Sequence, residues 1–253
     1  MDDRLKKLEE LYADKSRHSQ YQVLATSLEN RIRYEKPPKP KYEKERWKYI
    51  SDNVDISGKT VLDIGANTGF FTFECCKDFR PRRVDCYEGN VKLARFMELA
   101  TEVLELQDVV KVHPEYFLFD GIGKFWDVVF FLNVIHHIGF DFEKDVQIDK
   151  VKDKIIEHIN TMARYSKLMV FSMGYNWYGD IARCLFEHGT KREMEDYVIQ
   201  GTRNYWEIDK IGIAVKEGNT FKYSDINEAN NVRVDAYGEF LNRPLFIMKS
   251  KLL

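Results

Sequence analysis

The chain has 253 residues, 44% of them hydrophobic and 32% charged, enough to bury one substantial core with appendages. Its formal net charge of −2 excludes a bulk attraction to nucleic acid or to an anionic membrane, and no apolar run reaches bilayer-spanning length. The opening residues, MDDRLKKLEE, are charged from the second onward and do not read as a signal peptide. Cys75, Cys76, Cys86 and Cys184 form no CxxC or zinc-ligand spacing, which predicts buried, reduced thiols in a cytoplasmic protein.

Leu5, Leu8 and Tyr12 share one face of a predicted helix over 3–12, and a second helix is expected around 19–33. Residues 31–48, RIRYEKPPKPKYEKERWK, carry eight Lys/Arg against three Glu, and their prolines favour an extended linker. This stretch reads either as a solvated linker or as a basic segment past which a phosphate-bearing substrate runs. Residues 1–50 are therefore expected to form a helical lid and basic linker, and 51–253 the main domain.

From Thr60 the pattern alternates. TVLDIG, RRVDCYE, VVKVH, FWDVVFFLNV and KLMVFSM read as strands. GFFTFECCKDF and NVKLARFMELATEVLEL read as helices, and Ile148, Val151, Ile155, Ile159 and Met162 define another over roughly 142–164. Near-continuous apolar strands alternating with helices predict a parallel sheet covered on both faces, doubly wound by right-handed crossovers. Residues 174–206 break the regularity with aromatic and polar residues and a helix near 191–200, and RPLFIMKS is a last strand with Pro244 at its first position.

The stretch VLDIGANTGFF, residues 61–71, ends a strand with a carboxylate and two glycines. Gly65 and Gly69 suit a tight turn and close approach of a ligand, and Asn67 tolerates the left-handed region. A pyrophosphate site would want GxGxxG, whereas Asp63 pointing into this turn would repel phosphate and suit a ligand with a positive end. The second strand ends at CYEGN, where Glu88 is placed to accept hydrogen bonds from two ribose hydroxyls. A cationic head on a ribose without phosphates describes S-adenosylmethionine.

With VLDIGANTG as the first motif, YEGN as the acidic ribose motif and FWDVVFFLNVIHHI as the fourth-strand motif, the segment from about 59 to 172 resembles the class I S-adenosylmethionine-dependent methyltransferases. Asn67 departs from the usual middle glycine. The resemblance implies an α/β, Rossmann-like, seven-stranded, mostly parallel sheet with an antiparallel last strand at 244–250 paired near 208–216, plus N-terminal helices and a helical, aromatic cap. It implies cofactor contacts from Asp63, which otherwise caps the helix, and from Gly65, Asn67, Gly69, Glu88, Gly89, Asn90 and Asn133. Glu115, Tyr116 and Phe117 are candidates to cover the adenine, Tyr116 foremost, unless they are ordinary loop residues. Phe70 either walls the pocket or packs under the helix.

The HHIG turn after Asn133 faces the transferred methyl in that family. Two adjacent histidines on one short turn point different ways, so at most one serves as general base, His137 before His136; otherwise both are structural. The other histidines, His18, His113, His158 and His188, suggest no metal site. Tyr175, Trp177, Tyr178 and Arg203 are the substrate-side candidates, as aromatic faces and a cation, or else parts of a helical cap. The leading expectation is O-methylation of a small molecule or glycan. The alternatives are a tRNA or modified-nucleoside enzyme of the same fold, suggested by a faint likeness of the Trp-containing lead-in to the wobble-uridine branch, and a non-catalytic cofactor-binding partner. Neither the acceptor nor the oligomeric state follows from the sequence.

Overall fold

A computed structural model describes residues 3–14, 21–34 and 42–253. In chain order it runs α1 (Asp3–Tyr12), α2 (Thr26–Glu29), α3 (Glu43–Asn53), β1 (Thr60–Ile64), α4 (Phe70–Phe79), β2 (Arg83–Tyr87), α5 (Val91–Val103), β3 (Val110–His113) and β4 (Trp126–Leu132). It continues through α6 (Val151–Met162), β5 (Ser166–Ser172), α7 (Lys191–Thr202), β6 (Trp206–Glu217), β7 (Thr220–Asp225), α8 (Gly238–Asn242) and β8 (Leu245–Ser250). The described strands form one eight-stranded sheet in the order β3-β2-β1-β4-β5-β8-β6-β7. β3, β2, β1, β4 and β5 run parallel to one another, while β8 is antiparallel to both β5 and β6. The chain winds outward from β1 to β3 and then returns to place β4 on the other side of β1. That reversal opens a crevice at the carboxyl ends of β1 and β4, where open α/β sheets bind ligands.

The strand period of two sorts β4 between two cores. Val129 and Phe131 face α6 and α7 with Ile155, Ile159, Met194 and Val198, while Val128 and Phe130 face Trp47, Ile50 and Phe71 of α3 and α4. A third cluster packs Leu8 and Tyr12 of α1 and Leu28 of α2 onto Phe96 and Leu99 of α5 and Phe73 of α4. Helix starts are specified locally where polar residues allow it: Asn90 Oδ1 accepts from the N–H groups of Lys92 and Leu93, and Thr190 and Glu193 form a reciprocal capping box on α7.

The antiparallel last strand and its partner lie where expected, with Pro244 directly before β8. The expected seven strands become eight because β6 turns back at Gly218 (φ +61°) into β7. The helix expected over 142–164 begins only at Val151. Glu143 adopts φ +47°, and its Oε1 lies 2.8 Å from His158 Nε2, so the preceding segment folds as a loop against α6. Of the helix expected around 19–33, Thr26–Glu29 is the described part, and 15–20 lie outside the described residues, as do 35–41 of the basic linker. α3 packs against the core: Trp47 is buried and its Nε1 donates to Asp78 at 2.7 Å. Cys75, Cys76 and Cys86 are buried thiols as expected, but Cys184 is exposed in the loop before α7.

Truncating Phe130, which is fully buried against Trp47 and Phe71, should cost roughly 3–5 kcal/mol of stability. Phe130→Ala is expected to lower the urea midpoint with an unchanged m-value.

Candidate active site

The turn after β1 is built by left-handed residues. Gly65, Asn67 and Gly69 have φ of +70°, +56° and +79°. The N–H groups of Gly65 and Ala66 donate to Tyr87 O at 2.8 and 3.1 Å, which ties the turn to the end of β2. A Cβ on Gly65 would come within 2.4 Å of Val134, so the fourth-strand loop passes too close for any side chain there. No side chain of the turn caps α4. Gln22, from the N-terminal segment, does so instead: its Oε1 accepts from Phe70 N–H at 3.2 Å and Thr68 Oγ1 at 3.3 Å.

Glu88 follows β2 and is buried. Its two carboxylate oxygens accept from Asn67 N–H at 2.7 Å and Asn90 N–H at 2.8 Å. The Tyr116 ring lies against the backbone of Gly89, where an added Cβ would meet the ring at 2.2 Å. Tyr116 stays 44% exposed, while Phe117 and Phe119 close the floor behind it.

The opposite wall comes from the end of β4 and the entry to β8. Asn133 sits at φ +60°, and its Oδ1 accepts from Arg243 Nη1 at 2.9 Å and Ser172 Oγ at 3.4 Å. Arg243 Nη2 donates to Glu239 Oε1 at 2.7 Å, and the guanidinium lies 4.1 Å from the Phe240 ring centre. Burial raises the Glu239 pKa, but Arg243 and the donors from Tyr175 and Asn176 outweigh it, leaving the carboxyl below its usual range. His136 is buried and its Nδ1 accepts from Gly174 N–H at 3.2 Å. His137 Nδ1 stands 3.1 Å from Asp141 Oδ2. These groups line one cavity of about 340 Å³ between Glu88 and the histidine turn.

No family model matches the sequence, and no curated protein matches it. Solved structures do. EvdMO1 superposes with a TM-score of 0.53 at 12% identity, over 99% of this chain and 47% of its own. WbdD, in its complex with the kinase inhibitor LY294002, gives 0.52 at 12%, over 81% and 40%. The mitomycin 7-O-methyltransferase MmcR gives 0.50 at 12%, over 81% and 52%. The chain thus spans about half or less of each of these proteins. Its fold is that of the class I S-adenosylmethionine-dependent methyltransferases.

Within this methyltransferase fold, Gly65, Asn67, Glu88, Gly89, Asn90, Tyr116, Asn133, His136, His137 and Tyr178 all reach the cavity. Both histidines do so with ring centres 4.5 Å apart, contrary to the expectation that adjacent rings must diverge. Several residues singled out from the sequence do not line it. Gly69 shapes the turn as the residue before α4, and Phe70 packs edge-on to Phe71 in the core. Glu115 is exposed on the outer loop. Tyr175 and Trp177 are buried, their polar tips donating to Asn242 O and Ile138 O. Arg203 follows α7 beside a separate depression lined by Lys152 and Tyr197. Tyr21, Gln22, Asp141, Glu239, Phe240 and Arg243 line the cavity without having been foreseen. Only Asp141, four residues after His137, left a local signal.

Asp63 is the largest correction. Its carboxyl lies beneath α4, accepting from Thr72 Oγ1 at 2.7 Å, and does not point into the turn. Burial, assisted by the nearby Glu88 charge and opposed by Thr72, raises its pKa from 3.8 to about 7. The charge facing the cavity comes from Glu88, Asp141 and Glu239, against Arg243 among the described lining residues. This set of carboxylate acceptors and the glycine cradle fit a ribose joined to a cation and are poorly suited to a pyrophosphate. Among the described residues no cluster of His, Cys, Asp and Glu could hold a metal, and no helix is long and apolar enough to cross a membrane.

The Asp63 site favours folding most in acid, where both states hold the proton, and that contribution is lost as pH rises from 3.8 to about 7. Asp63→Asn removes this dependence. Its melting temperature relative to the parent chain is expected to rise between about pH 5 and about pH 8 in thermal unfolding scans.

Proposed function

We propose that the chain is a methyltransferase that moves the methyl group of S-adenosylmethionine to an oxygen of a small molecule or glycan. The observation that carries this reading is a single cavity, at the reversal of strand order, with a ribose-type carboxylate on one wall and a histidine paired with a carboxylate on the other. Glu88 would accept the ribose hydroxyls while keeping its backbone donors, with Gly89, Asn90 and Tyr116 along the adenosine. Gly65, Asn67 and Asn133 would border the methionine end, and Asp63 and Gly69 would hold the turn from behind. The mitomycin 7-O-methyltransferase shares the fold, which is consistent with oxygen as acceptor atom.

The cofactor supplies a methyl group on a positively charged sulfur, already activated for displacement. What this chain adds is alignment, exclusion of water and a place for a proton. Tyr21 and Gln22 support the reading of the N-terminal segment as a cover, because they bring that segment onto the cavity and latch it to α4. An alcohol acceptor must lose its proton as its oxygen attacks, and His137 is the base we assign to it. His136, whose Nδ1 already accepts from Gly174 N–H, is the less suited of the two. The tRNA reading has less support, since carboxylates outnumber cations on the described lining.

Two measurements test this. Glu88→Ala should weaken S-adenosylmethionine binding by about tenfold or more in titration calorimetry, as expected for loss of a charge-assisted hydrogen bond; an unchanged affinity would remove Glu88 from the site. Incubation with methyl-labelled cofactor and fractionated extract should place label in a small-molecule or glycan fraction, and label confined to RNA would overturn the acceptor assignment.

A further inference from the structure

The cavity does not end at the histidines. A shallow depression lined by Tyr116, Gly139, Phe140, Asp141 and Lys144 adjoins it and shares Tyr116 and Asp141 with it. At this outer end the rings of Phe140 and Tyr178 stack at 4.2 Å with an interplanar angle of 17°, and Phe140 remains 42% exposed. Tyr178 holds φ +40°, followed by Gly179 at φ +80°. A left-handed backbone is strained for a non-glycine residue, and outliers of this kind gather at functional sites. Gly139 supports the platform from below: an added Cβ would stand 2.9 Å from both Trp177 and Val146 O.

We propose that this outer half is a subsite for a neutral ring bearing a hydroxyl, which lies on the Phe140–Tyr178 stack and directs its hydroxyl to His137, with Asp141 as the positioning residue for that imidazole. The proposal rests on the methyltransferase reading and specifies its acceptor. An exposed aromatic face suits the apolar face of a sugar or an arene. Among the described residues the charge nearby is compatible with a neutral ligand: Arg243 is paired with Glu239, Arg183 with Asp180 at 3.3 Å, and Asp141 accompanies Lys144 in the depression. The Asp141 carboxylate, with Oδ2 3.1 Å from His137 Nδ1, favours by its charge a proton on that nitrogen, which would leave Nε2 as the basic atom. As the acceptor oxygen's lone pair takes the methyl group, its proton passes to Nε2, and the C–S bonding pair stays on sulfur, which leaves as a neutral thioether. The imidazolium so formed is balanced by Asp141.

The test reads ring binding without the cofactor. Saturation-transfer NMR of the full chain with methyl pyranosides, with catechols and with a short RNA oligomer should give transfer to one ring panel, and which panel responds distinguishes a sugar from an arene. Phe140→Ala should weaken that binding about fivefold or more, the loss of one stacked ring, with S-adenosylmethionine affinity by calorimetry changed less than about twofold. Asp141→Asn should lower kcat about tenfold or more with the acceptor KM nearly constant, which a purely structural role would not do. Absence of transfer to either ring panel, binding of the RNA alone, or unchanged ring binding in Phe140→Ala overturns the subsite. Loss of S-adenosylmethionine binding by the parent chain with ring binding intact would instead overturn the methyltransferase reading.

Discussion

The carboxylate of Glu88 holds together two turns that the chain makes 21 residues apart. One oxygen accepts from the left-handed Asn67 and the other from Asn90 at the head of α5. Charge-assisted bonds of this type are worth roughly 1.5–3 kcal/mol each. They fix the distance between the ends of β1 and β2, and the cradle at Gly65 and the Tyr116 ring on Gly89 follow from that spacing. The same side chain builds the pocket and lines it, so the shape of the cavity depends on the folding of these two loops.

The other wall depends on contacts far more distant in sequence. Arg243 reaches Asn133 across 110 residues and joins the end of β4 to the entry of β8. Glu239 neutralises it and also accepts from Tyr175 N–H, which ties the loop after β5 into the same wall. The antiparallel insertion of β8 between β5 and β6 is what brings this arginine to the crevice at all. The acidic balance of the described lining therefore comes from three unrelated parts of the chain, none of them the aspartate of the first motif.

Much of the inner wall was legible because it is local. The glycine–asparagine turn, Glu88 at a strand end and the histidine pair are each written within a few residues. Asp63 was misread because a fully buried strand presents side chains to two covered faces, and sequence does not say which face a carboxylate takes. Trp177 and Tyr175 were open to two readings, substrate-side faces or parts of a cap, and took the second, because their polar tips find backbone carbonyls and let them sink into the core. Phe70 had two outcomes open and took the apolar one. Arg243, Glu239, Tyr21 and Gln22 carry no signal of their own, since only tertiary folding delivers them. The late start of the helix expected from residue 142 reflects a tertiary contact, Glu143 with the buried His158, overriding local periodicity.

The hairpin that adds β7 changes what the molecule shows to its neighbours. Without it, β6 would end the sheet as a long row of open amide and carbonyl groups, a template for pairing with another chain. β7 takes that place with a shorter strand whose charges are spoken for: Lys222 pairs with Glu217 at 2.6 Å, and Asp225 with Lys210 at 2.9 Å. Its shorter run of open backbone groups, set among charged side chains, offers less of such a template than β6 would.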